Sequence, residues 1–241
     1  MPDFRDELYQ RYVTSFKGLD GQMSGPTLTN YWRWCAYKYL PLLADVDRDE
    51  PILELGCGPG HVLEFLARAG FSGVQGIDIS EEQARLAKER GLRAEAADAF
   101  EFLASRESTY GAIVAIDFLE HFTKDELVRL VPLIHDALKP GGILLVQTVN
   151  GQGLFPRQVI YGDFTHLTVF TPGSLAQLLT LSGFDQFRFR ETGPAPLSLR
   201  GVLDLVFWRA IKGFANMIRR VETGKDQEIW TENFICRAVK V

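Results

Sequence analysis

The segment Glu54-Leu55-Gly56-Cys57-Gly58-Pro59-Gly60 carries the densest chemical signal in the chain. Its three glycines at alternate positions follow the short apolar run Pro51-Ile52-Leu53. Apolar residues then recur at helical spacing as Val62, Leu63, Phe65, Leu66 and Ala69, which predicts strand, tight turn, helix. Glycine lets the backbone turn sharply and lets a ligand lie against it without a Cβ in the way. A glycine-rich first turn is where open α/β sheets hold nucleotide-like ligands. Residue types narrow the choice of ligand. A phosphate-gripping loop needs G-x-x-x-x-G-K-[ST], and no Lys follows Gly60. A dinucleotide fingerprint needs G-x-G-x-x-G; Gly56 and Gly58 fit, but His61 occupies the third glycine position. The carboxylate of Glu54 beside the turn suits a cationic ligand and repels phosphates.

Other acids and histidines stand where strands are expected to end. Asp78 closes the run Val74-Gln75-Gly76-Ile77, where a carboxylate can accept from both hydroxyls of a ribose. The bland alternative is an ordinary exposed strand-end acid. Asp98 follows Ala96-Ala97 and can cap a helix over 99–104. Histidine is the natural general base near neutral pH, and the chain has four. His61 opens the helix after the glycine turn and is assigned to a ligand or solvent. His135 is assigned to the surface of a helix that stops before Pro140. His121 lies in Asp117-Phe118-Leu119-Glu120-His121-Phe122, where structural capping and catalysis stay equally open. His166 lies in the loop Tyr161–Pro172, at the carboxyl end of the sheet, with Asp163 three residues earlier to orient it. It is the favoured base; the alternative is a strut clasping the helix that starts at Pro172. Asp163 and His166 lack a third ligand, so no metal site is expected.

Glu54–Gly60 resembles the first motif of the class I S-adenosylmethionine (SAM)-dependent methyltransferases, E/D-x-G-x-G-x-G, at every defined position. The resemblance covers about 50–192 well and 226–241 plausibly. It implies SAM as cofactor, whose sulfonium and ammonium groups suit Glu54. It implies further that Gly56, Cys57, Gly58 and Gly60 lie under the cofactor, Asp78 at its ribose, and Ile79 on the adenine face. Asp98 and Ala99 would stand at the adenine amino group, Asp117 at the methionine moiety or substrate, and Phe118 against the cofactor. The segment 117–121 is similar to the D/E-x-L-E-H stretch of many methyltransferases, including those acting on quinone precursors. Asp163-x-Thr165-His166 followed by Phe170-Thr171-Pro172-x-Ser174-Leu175 resembles methyltransferases found with glycan and polysaccharide biosynthesis enzymes. That second likeness puts Asp163 and His166, with His121, beside a substrate hydroxyl. It implies O-methylation of a sugar, as a small molecule or a lipid-linked glycan. A phenol or quinone-precursor acceptor stays open, with the N-terminal aromatics as its apolar pocket. So do two readings of other classes, a non-catalytic SAM-binding partner and an NAD-dependent oxidoreductase.

The elements that must position these residues alternate regularly from residue 51. Strands are expected at about 51–55, 74–78, 93–97, 112–116, 143–148, 184–192 and 229–241. Helices are expected at 81–90, 124–138 and 172–181, with 149–170 as a polar and aromatic loop. Apolar strands alternating with helices predict a Rossmann-like, doubly wound, mostly parallel seven-stranded sheet in a single domain spanning 1–241. Residues 1–45 read as an aromatic helical segment broken at Gly18, Gly21, Gly25 and Pro26. Residues 197–222 read as an amphipathic helical insertion, its apolar stripe opposed by Arg200, Arg209, Lys212, Arg219 and Arg220. It is expected to be a cap over the site, a homodimer contact, or a helix lying on a membrane surface.

Composition excludes some classes. The formal charge of −5 argues against a general nucleic-acid coat. Cys35, Cys57 and Cys236 lack metal spacing, and their odd number suggests reduced thiols in the cytoplasm, with peripheral membrane contact as an option. No secretory signal or uninterrupted apolar stretch of transmembrane length is visible.

Overall fold

The computed structural model describes Leu8 and residues 23–241. The expected aromatic contributions of Phe4, Tyr9, Tyr12 and Phe16, and the breaks at Gly18 and Gly21, lie outside the described residues. Seven strands, β1 (Pro51–Leu55), β2 (Gly73–Asp78), β3 (Ala94–Ala96), β4 (Tyr110–Ile116), β5 (Leu138–Val149), β6 (Phe184–Glu191) and β7 (Asn233–Lys240), form one sheet. Its order is β3-β2-β1-β4-β5-β7-β6. The first five strands run parallel, and β7 runs antiparallel to both β5 and β6. The expected mostly parallel, seven-stranded α/β sheet is therefore present.

Strand periodicity splits the core cleanly. Leu53, Leu55, Ile113, Ala115, Leu144 and Val146 face one layer of helices, whereas Ile52, Ala112, Val114, Ile143 and Leu145 face the other. Helices α5 (Lys124–Ala137) and α7 (Pro172–Thr180) cover the first face; α1 (Gly25–Lys38) and α2 (His61–Arg68) cover the second. Helix α4 (Ala99–Ala104) joins the first face through Ala99 and Leu103, and α3 (Glu81–Glu89) follows β2. Local signals set the helix starts. Thr123 and Glu126 form a reciprocal capping box on α5, and Ser80 caps α3 through the Gln83 amide.

Several boundaries moved. Gly25 and Pro26 open α1, where proline is tolerated because its missing N–H is not needed in a helix's first turn. The loop after β5 contains a short helix, α6 (Arg157–Tyr161). The expected last strand loses residues 229–232, since Trp230 turns its indole to the Gln227 carbonyl and pairing begins at Asn233.

The late insertion is one helix, α8 (Leu199–Thr223), 25 residues and so about 37 Å long. Its facing differs from the expectation. Lys212 and Trp208 both donate to Glu191, and Asn216 and Gln227 exchange two hydrogen bonds. The stripe holding those residues faces the domain, and the apolar stripe faces outward. Lys212 and Arg219 thus do not belong to a solvent-facing basic surface, and the apolar stripe caps no active site.

Candidate active site

Beyond β1 the chain crosses to β2 on one side, and β4 lies on the other. The crevice outside the carboxyl ends of β1 and β4 is where an open α/β sheet binds its ligand. The glycine turn sits there. Gly56, Gly58 and Gly60 all have positive φ, of +68°, +53° and +83°. They are glycines for different further reasons. A Cβ on Gly56 would meet the Phe118 ring at 2.7 Å, and one on Gly60 would collide with Leu92. Gly58 opens outward, its nearest neighbour being the Gln83 side chain at 3.8 Å. Cys57 is buried against Gly76 and Leu63, so only its backbone faces the turn. Burial pushes its thiol far up, and Cys35 up to about 12, so neither thiol acts as a nucleophile.

Acids ring the turn. Glu54 is 3% exposed, and its Oε2 has no hydrogen-bond partner. Burial, reinforced by the Asp78 charge, raises its carboxyl well above the usual range. Asp78 accepts from the Gly58 amide and from the Ser80 amide, each at 2.8 Å, and so braces the glycine turn. Ile79 beside it is half exposed, as a residue offered to a ligand face would be. Asp98 accepts from the Phe100 and Glu101 amides, so its capping role is realised, with Ala99 buried behind it. Gln83, which sequence reasoning missed, is buried beside Gly58 with its Oε1 unpartnered. Two orphaned buried acceptors at one turn fit a ligand that is cationic and rich in N–H donors.

Helix α1 closes the crevice from the other side. Trp32 donates to the His61 carbonyl and Trp34 to the Thr192 carbonyl. That anchoring brings Tyr31 and Cys35 to Glu54; burial raises the Tyr31 phenol, with Cys35, Asp117 and Glu54 adding to the effect. His61 is buried under this helix and does not face solvent. Tyr39 donates to Gln147 Oε1, and Gln147 Nε2 donates to Asp117. Asp117 adopts φ +49°, a conformation costly for a residue with a Cβ and frequent at functional sites. Phe118 meets the Gly56 turn and stacks edge-on against Phe122, with ring centroids 4.9 Å apart.

The loop after β5 folds back onto the end of β4. The Glu120 carbonyl accepts from Leu167 and Thr168, and its buried carboxyl accepts from Thr148. Burial and Asp117 raise that carboxyl well above the usual range. This clamp brings His121 and His166 together, ring centroids 4.9 Å apart. His166 Nδ1 donates to the Val159 carbonyl at 2.7 Å. Thr165 donates to Asp163 at 2.5 Å and lies 2.9 Å from His121 Nδ1. A hydroxyl has one proton, so Thr165 accepts from His121. With Nδ1 donating, the neutral form of His166 has its lone pair on Nε2. One expectation is corrected: Asp163 connects through Thr165 to His121, while a backbone carbonyl orients His166. His135 packs on Phe184 at the opposite edge of the sheet. Among the described residues no cluster of three metal-ligating side chains exists.

The family described as a methyltransferase domain matches residues 31–186. The chain belongs to this family. The match includes the second half of α1, the glycine turn and the histidine pair, and with it comes SAM as the cofactor. The two buried orphan acceptors and the open Gly58 fit that cationic group. A ubiquinone biosynthesis O-methyltransferase of Cupriavidus pinatubonensis is 27% identical over 164 residues, 61% of this chain and 65% of that protein. Another, from Xylella fastidiosa, is 34% identical over 107 residues, 41% of this chain and 42% of that one. The chain thus aligns with less than two thirds of these relatives' length. A SAM-dependent methyltransferase from Archaeoglobus fulgidus shares the fold at a TM-score of 0.64 and 19% identity, covering 99% of this chain and all of that one. The NAD reading falls with the family assignment.

Proposed function

We propose that the methyltransferase transfers a methyl group from SAM to the hydroxyl of a phenol-like small molecule, a quinone precursor being the model acceptor. The observation that carries the reading is the His121–His166 pair, both Nδ1 atoms committed, at the end of the sheet that holds the glycine turn. When bound, SAM supplies a methyl group already activated on a sulfonium, so alignment provides much of the catalysis. Glu54, Asp78, Ile79 and Asp98 hold the cofactor. His166 Nε2 takes the hydroxyl proton as the oxygen is methylated, and His121, oriented by Asp163 through Thr165, faces it. Tyr31 and Phe118 supply apolar walls for an aromatic ring.

The relatives named above support the phenol-type acceptor over a sugar. The glycan reading rests on the 163–175 segment alone and takes second place. The test is SAM turnover against catechols, sugar nucleotides and lipid-linked sugars, with product mass measured. Methylated catechol supports the proposal; methylated sugar alone overturns it. No turnover with any acceptor, despite SAM binding, would favour a non-catalytic partner.

A further inference from the structure

We propose that Tyr39 and Gln147 are positioning residues that aim the Asp117 carboxylate at the ammonium group of SAM's methionine end. The inference rests on the cofactor reading of Asp117 and is independent of the choice of acceptor. Sheet order places the parts. Asp78 ends β2, the glycine turn follows β1, and Asp117 follows β4 on the other side. A cofactor with its ribose at Asp78 and its middle on the turn extends its amino-acid end toward β4. Asp117 stands exposed there, where a carboxylate can accept from a cation. The Tyr31 phenol feels the charges of both Asp117 and Glu54, so the two acids border the same part of the crevice.

Asp117 has to be held. Its φ of +49° is costly for a residue with a Cβ, and one neighbour braces it twice. The Gln147 backbone carbonyl accepts from the Asp117 amide at 2.9 Å, and Gln147 Nε2 lies 3.1 Å and 3.3 Å from the two carboxylate oxygens. A carboxylate only accepts, so the side-chain amide of Gln147 must turn Nε2 toward Asp117 and Oε1 away from it. The buried Oε1 then requires a donor, and the Tyr39 hydroxyl supplies it at 2.9 Å. Burial raises the Tyr39 phenol well above its ordinary value, so the proton stays in place. Turned the other way, the amide would set Oε1 against the carboxylate. Tyr39 is itself fixed. It is 1% exposed, its amide caps the end of α1 on the Cys35 carbonyl, and the Trp34 ring packs edge-on against it at 5.5 Å. The helix that closes the crevice thereby sets the aim of an acid on β4's end.

The experiment is calorimetry with two ligands: S-adenosylhomocysteine, which keeps the ammonium group, and 5′-methylthioadenosine, which lacks the whole amino-acid end. Asp117→Asn should weaken the first roughly ten- to a hundredfold and leave the second unchanged. Tyr39→Phe should weaken the first about three- to tenfold, the worth of one hydrogen bond, again with the second unchanged. In the Asp117→Asn background Tyr39→Phe should add nothing, because the two act through one contact. Tyr39→Phe leaves Gln147 Oε1 buried without a donor, which costs stability, so Tyr39→Phe combined with Gln147→Met is the second variant. That pair replaces both partners by apolar groups of similar shape, which is nearly neutral for folding, and should show the same selective loss. Equal weakening of both ligands by Tyr39→Phe would mark a merely structural role and overturn the proposal. So would unchanged S-adenosylhomocysteine affinity in the combined variant while Asp117→Asn weakens it. Unchanged affinity in Asp117→Asn itself overturns the cofactor reading of Asp117, and the proposal with it.

Discussion

Replacing Glu54 with Gln tests the cofactor site without touching the fold. Glu54 is buried, its Oε2 is unpartnered, and burial with the Asp78 charge holds its carboxyl protonated well above the usual range. A cationic ligand arriving beside it reverses the balance and favours the carboxylate. SAM binding should therefore release up to one proton, and SAM affinity should climb by up to tenfold per pH unit until pH reaches the free protein's raised Glu54 pKa. Glu54→Gln keeps the shape of the protonated acid and removes both effects. Losing a hydrogen bond to a charged group costs about 1.5–3 kcal/mol, or roughly ten- to a hundredfold in SAM affinity. Calorimetry in two buffers of different ionisation enthalpy reads the proton directly. The melting temperature of the unliganded variant should not fall at pH 8, where the wild type bears a buried acid that resists ionisation. Unchanged SAM affinity with an unchanged pH slope would refute the assignment of Glu54 to the cofactor.

Asp78→Ala should weaken SAM and its demethylated product about ten- to a hundredfold, and it should also lower the melting temperature, because the Gly58 and Ser80 amides lose their acceptor. His166→Ala should lower turnover about 10²–10⁴-fold with SAM affinity preserved, read by steady-state kinetics and calorimetry. A stability loss alone would mark His166 as a strut. Thr165→Val should cut the link from Asp163 to His121 and lower kcat about three- to tenfold without changing SAM affinity, the worth of one neutral hydrogen bond. Glu120, like Glu54, has a folded-state pKa raised above its unfolded value. The stability each contributes is complete below the usual carboxyl range and is lost as pH rises through the folded value. Glu120→Gln should flatten that decline in denaturant titrations taken across the pH range.

The cofactor half of the site was legible in the chain because it is local. Glu54 through Gly60 lie on one strand and one turn, and three glycines at alternate positions mark a backbone that residues with a Cβ rarely adopt. Asp78 and Asp98 followed from strand ends, and apolar strands alternating with helices predicted the parallel sheet that carries them. The acceptor half was not legible, because its geometry joins segments far apart in sequence. Nothing in residues 163–166 reveals that Thr165 meets His121, a contact across 44 positions made only when Glu120 clamps the returning loop. Tyr31 and Cys35 reach Glu54 only because Trp32 and Trp34 find carbonyls on other elements. In α8 the sequence shows two faces of opposite character but carries no label for inside. Tertiary structure decided that, because the half-buried Glu191 and the buried Gln227 present hydrogen-bonding partners that only the polar stripe can satisfy.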